Sequence, residues 1–160
     1  MTSCSATLVT PPDGRRWTDL GPLPGDPFPR LVDGRRGLTL VGRPTDAPLT
    51  VWRSTDGSTW EQTYQDPYAW GVRNVIAGDS SSRASIVVLG NVMADPVNED
   101  YQNGALVSTR GGAWVRSVGS MTPQNSSAEV AVFLDPRTVV ALGWTDGGGF
   151  PAGWRTERTP

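Results

Sequence analysis

The chain has 160 residues, 37% of them hydrophobic, with 19 Gly, 14 Pro, 7 Trp and a formal charge of −2. All 14 basic residues are Arg, and neither His nor Lys occurs, which excludes an imidazole general base, a Ser-His-Asp or Cys-His nucleophile system, a histidine metal ligand and any Schiff-base or phosphate-loop lysine. The slight acidity, with Arg scattered and never polybasic, points away from nucleic acid, and no apolar run approaches the ~20 residues of a membrane-spanning helix.

In chain order, residues 1–6 carry neither a basic nor an apolar signal region, so no signal peptide is expected in this chain and the compartment stays open. Cys4, the single cysteine, has no internal partner and is expected to be a free thiol, the alternative being a lipidated residue of an exported chain. Leu8-Val9-Thr10 precedes the turn segment Pro11-Pro12-Asp13-Gly14-Arg15-Arg16-Trp17. Residues 29–32 then read as a strand leading into the apolar run Leu38-Thr39-Leu40-Val41-Gly42. Next comes Val51-Trp52-Arg53-Ser54-Thr55-Asp56-Gly57-Ser58-Thr59-Trp60, where Asp and Ser side chains suit turn amides, Gly supplies a positive φ, and Trp returns on the next strand.

The same order then recurs. Residues 73–77 lead into Ile86-Val87-Val88-Leu89-Gly90, followed by Leu106-Val107-Ser108-Thr109-Arg110-Gly111-Gly112-Ala113-Trp114. Residues 129–134 lead into Val139-Val140-Ala141-Leu142-Gly143, and Trp154-Arg155 echoes Trp52-Arg53. The run-ending glycines are 48 and 53 residues apart, and Trp52 and Trp154 are 102 apart. Short β-branched runs bounded by Gly, Asp and Ser turns, without a 3.6-residue amphipathic period, make the chain all-β. Four short antiparallel strands per repeat of about 40 to 50 residues is the pattern of a β-propeller blade. The expectation is one domain, 1–160, with units near 1–25, 26–68, 69–120 and 121–160, the first and last incomplete.

Ser54-Thr55-Asp56-Gly57-Ser58-Thr59-Trp60 resembles the Asp-box, or bacterial neuraminidase repeat, Ser-x-Asp-x-Gly-x-Thr-Trp, one residue short between Asp and Gly. The copy at Ser108, Gly111 and Trp114 has Arg110 in place of the Asp, and the copy at Asp13, Gly14 and Trp17 lacks the Ser. The resemblance implies a sialidase-like β-propeller in which these turns are structural and remote from catalysis. Sialidases sharing the repeat use an arginine triad, a Tyr-Glu nucleophile pair and an Asp acid/base. Phe28-Pro29-Arg30-Leu31 has the wrong order for their arginine motif, so no catalytic residue is assigned.

The strand tally of two, four, four and three amounts to three blades and one spare strand, fewer than the four to eight that close a propeller. The expectation is therefore a homodimer closing a six-bladed ring, with a subunit of a virion or other large assembly as the competing reading. Tyr68, Trp70 and Trp144 sit off the turn pattern and are candidate surfaces for stacking on sugars. Arg43 and Arg73, with Arg30, Arg35 and Arg36, are candidates for a carboxylate- or phosphate-reading cluster. Asp95, Asn98, Glu99 and Asp100 offer oxygen ligands suited to calcium but match no calcium-loop spacing, so neither metal nor cofactor is expected. The functional expectation is a non-catalytic structural or binding module for glycan or protein surfaces, the alternative being a sialidase-type glycosidase with its site formed across subunits.

Overall fold

The computed structural model describes residues 7–10, 18–24, 29–34, 36–44, 47–78, 84–95, 100–109, 112–118, 127–145 and 150–155. Among them the chain is all-β, with thirteen strands and no helix. Four antiparallel sheets follow one another, each a meander in chain order. Sheet I pairs β1 (Thr7–Thr10) with β2 (Thr18–Pro22). Sheet II contains β3 (Arg30–Gly34), β4 (Gly37–Gly42), β5 (Leu49–Ser54) and β6 (Glu61–Asp66). Sheet III contains β7 (Ala69–Ala77), β8 (Ala84–Asp95), β9 (Asp100–Thr109) and β10 (Trp114–Val118). Sheet IV contains β11 (Ser127–Asp135), β12 (Thr138–Thr145) and β13 (Phe150–Arg155). The two, four, four and three strands expected from the repeat are thus observed.

One segment differs from the expectation. In the second repeat β8 continues past the run ending at Gly90 as far as Asp95, and β9 begins at Asp100, where the two residues pair. Strand pairing satisfies backbone groups that the sequence alone gives no reason to pair.

Sheets II, III and IV pack face to face in chain order, and the repeat dictates which residues point which way. Aligning Gly42, Gly90 and Gly143 aligns three cross-strand pairs, Leu40 with Trp52, Val88 with Leu106 and Ala141 with Trp154. It also aligns their neighbours one step along, Val41 with Val51, Leu89 with Ala105 and Leu142 with Gly153. Because side chains alternate across a strand, these two sets occupy opposite faces of each sheet. Val41, Leu49 and Val51 of sheet II meet Ile86, Val88 and Leu106 of sheet III in one core. Val87, Leu89, Ala105 and Val107, on the other face of sheet III, meet Ala128, Ala131, Val139 and Ala141 of sheet IV in a second.

Sheet III is therefore covered on both sides, which is why Ile86-Val87-Val88-Leu89 is an unbroken apolar run and not an alternating one. Burial of each such Val or Leu contributes about 1.5–3 kcal/mol. The first strands of the three larger sheets, β3, β7 and β11, lie side by side, and Asn74 Nδ2 donates to the Glu129 carbonyl at 3.2 Å to tie β7 to β11. Among the described residues the sheets form an open array, and no helix is long and apolar enough to cross a membrane.

Candidate functional site

The turn between β5 and β6 is built from its own side chains. Ser54 Oγ accepts from the Gly57 amide at 2.8 Å and donates to Asp56 Oδ1 at 3.0 Å. The same Asp56 oxygen accepts from the amides of Ser58 and Thr59, both at 2.8 Å. Gly57 takes φ 79°, which a side chain would disfavour, and its carbonyl accepts from Trp60 Nε1 at 3.1 Å. These hydrogen bonds, made by Ser54, Asp56, Gly57, Thr59 and Trp60, close the turn on itself.

Two amide donors, Thr59 before Ser58, hold the Asp56 carboxyl far below the usual carboxylate range. A depressed folded pKa gives a stabilisation that is complete above the unfolded value near 4 and is lost as pH falls below it. Asp56→Ala is accordingly expected to melt below wild type at pH 7, with the gap narrowing towards pH 2. Thermal melts across that range check it, and a gap independent of pH would contradict the role.

The turn between β9 and β10 has Arg110 where the carboxylate stands in the first, and it closes through the backbone instead. The Thr109 amide donates to the Ala113 carbonyl at 2.8 Å and the Gly112 amide to the Thr109 carbonyl at 2.9 Å, with Gly112 at φ 87°. Ser108 is buried, and its hydroxyl donates to the Thr109 carbonyl at 3.5 Å. The positive φ sits at Gly112, one residue beyond the Gly57 equivalent; Gly111 itself lies outside the described residues, as do Asp13, Gly14 and Trp17.

The most concentrated polar chemistry lies at the outer edge of the contact between sheets II and III. Asp66, the last residue of β6, is fully buried. Its carboxylate accepts from Arg116 Nη2 at 2.7 Å and Nε at 3.3 Å, from the Tyr64 hydroxyl at 3.0 Å and from the Tyr68 amide at 2.8 Å. The Arg116 guanidinium also stacks on the Tyr68 ring at 4.8 Å, and Tyr64 stacks on Trp114 with centroids 5.1 Å apart. Burial and the adjacent Asp66 carboxylate push the Tyr64 phenol up to about 12. A phenol shifted upward, beside a carboxylate already engaged by a guanidinium, is a poor nucleophile pair.

Sequence reasoning singled out Tyr68 and Trp114 but missed Tyr64, Asp66 and Arg116. The period of two was the available signal: Tyr64 and Asp66 share one face of β6, and Trp114 and Arg116 share one face of β10.

The other candidate residues are spread over several elements. Arg43 Nε donates to the Ala47 carbonyl at 3.0 Å and braces the loop after β4. Arg73 is exposed on β7, Arg30 begins β3, Arg36 is at the β3–β4 hairpin, and Arg35 lies outside the described residues. Trp144 is exposed on β12. Trp70 lies in β7 and Asp95 and Asp100 in the β8–β9 hairpin, but their side chains lie outside the described residues, as do Asn98 and Glu99 entirely. Among the described residues no group of three acidic, His or Cys side chains is arranged to hold a metal ion.

An open cleft of about 740 Å³ lies where β3, β7 and β11 converge. Its walls are apolar, with Val32, Val75, Ile76, Val132, Phe133 and Leu134 among them, and its carboxylates are Asp33 and Asp135. Asp135 Oδ1 accepts from the Arg137 amide at 2.8 Å, a bond that lowers the pKa of its carboxyl within the β11–β12 turn. No family model, no curated protein and no solved structure matches the chain.

Proposed function

We propose that this chain is a non-catalytic structural or binding module whose sheets are blades of a propeller-type array of the Asp-box kind. The observation that carries this reading is the convergence of the first strands β3, β7 and β11 on one open, apolar-walled cleft. In a propeller the first strand of each blade faces the central channel, and the outer turns serve only to hold the blade. Here the motif turn is spent on closing itself, while the cleft presents an apolar surface with carboxylates near its rim. Such a surface suits contact with a glycan face or a protein surface better than bond cleavage.

A sialidase-type glycosidase would need a tyrosine nucleophile with a free carboxylate base, or two carboxyl groups roughly 5 Å apart. The Tyr64–Asp66 pair has neither property, because Asp66 is buried beneath Arg116 and Tyr64 is shifted upward. Incubation with a panel of aryl glycosides that includes a sialoside is expected to give no turnover, with any ligand detected on a glycan array as binding alone. Turnover abolished by a single Asp or Glu substitution would overturn the reading.

A further inference from the structure

Eight large hydrophobic side chains are exposed among the described residues, and five of them, Val130, Val132, Leu134, Leu142 and Trp144, belong to β11 and β12. Val130 pairs with Leu142 and Val132 with Val140, so these residues share one face of sheet IV, opposite the face that Ala131, Val139 and Ala141 pack on sheet III. Leu142 also spreads across β13, since a Cβ on Gly153 would come within 3.3 Å of its Cδ2.

The repeat register states what this face is for. Leu142 occupies the position of Val41 and Leu89, and both of those are buried against the sheet that follows in the chain. The run Val139-Val140-Ala141-Leu142 is as continuously apolar as the doubly covered Ile86-Val87-Val88-Leu89, yet only its Val139 and Ala141 side is buried. Val132 and Leu134 also line the cleft, so whatever covers the face completes the cleft wall.

We infer that a second copy of this chain covers the face formed by β11, β12 and β13, packing head to tail so that the sheet order of one copy continues into the other. This rests on the reading of the sheets as propeller-type blades. The occupant follows from the two interfaces inside the chain, where the partner of each such face is another sheet of the same repeat. Size supports two copies as well. From strand rise and spacing, a face of nine-, eight- and six-residue strands covers about 360 Å². A closed head-to-tail dimer uses two such contacts and so reaches about 700 Å² per partner, within the range of a specific interface.

Sedimentation velocity on the whole chain tests the inference. The expected result is a single species of twice the 17.1 kDa chain mass. Val132→Asp and Leu142→Asp each place a charge on the face at side chains that the protomer leaves 59% and 54% exposed, so folding tolerates them. Each is expected to raise the dissociation constant at least roughly 30-fold, as for a central interface residue, with unchanged far-UV circular dichroism. Val115→Asp, exposed on β10 away from this face, is expected to dimerise normally. A monomeric wild type, an open ladder of oligomers, or a dimer that persists in both face variants would overturn the inference. A monomer would leave the non-catalytic reading standing, because turnover and glycan binding test that separately.

Discussion

Arg116→Ala is expected to destabilise the protein by about 1–3 kcal/mol, the cost of leaving the buried Asp66 carboxylate short of donors, since the Arg116 side chain itself is 31% exposed. Asp66 is fully buried and takes two hydrogen bonds from this guanidinium. Without Arg116 its charge keeps only the Tyr64 hydroxyl and the Tyr68 amide as donors. The Tyr68 ring loses its cationic neighbour at the same time. Arg116→Lys keeps the charge but not the two-pronged geometry, and should fall between wild type and the alanine variant. A double change of Asp66 and Arg116 to leucine removes both charges and is expected to cost less than Arg116→Ala alone, since no buried carboxylate is stranded. Urea unfolding of the four proteins provides the comparison. A loss below about 1 kcal/mol for Arg116→Ala would place the pair with ordinary surface ion pairs and remove it as the tie between sheets II and III.

The second large effect is expected at Gly90. Its position in β8 faces a stretch of β7 where the register slips twice, between Ala69 and Gly71 and between Val72 and Asn74. Those irregularities bring the β7 backbone over Gly90, so that an added Cβ would strike the Gly71 carbonyl oxygen and lie 2.8 Å from its carbon. The obstructing atoms are backbone, which cannot rotate away as a side-chain end can. Gly90→Ala should therefore cost about 3 kcal/mol, the upper part of the usual range for overpacking. It should also loosen β7, the strand that forms part of the cleft and contacts β11. Equilibrium denaturation with hydrogen exchange on the β7 amides measures both effects. An alanine variant as stable as wild type would mean that β7 pairs without these irregularities.

Much of the fold is legible in local sequence. The Gly-ended runs, the Asp-Gly turn and the tryptophans after it mark strand ends because turn geometry depends on a few neighbouring residues. The Ser54–Asp56 hydrogen bonds could be anticipated for the same reason: donor and acceptor lie within three residues of each other. The polar cluster could not, since Asp66 and Arg116 are 50 positions apart and meet only when sheet II lies against sheet III. The length of the β8–β9 hairpin was not legible either, because cross-strand pairing carries β8 beyond the run that ends at Gly90.

The sequence by itself determined that the chain is all-β, the order of its strands, which side chains share a face, and that His- or Lys-based catalysis is excluded, for each of these depends on composition or on alternation over a few residues. Only the tertiary structure decided which face of each sheet is covered. Val139 and Val140 are neighbours of the same type in the same run, yet Val139 is buried against sheet III while Val140 is only partly buried, on the side with Leu142. That difference lies in which sheet stands opposite, a matter of long-range packing that the alternation of a strand leaves undetermined.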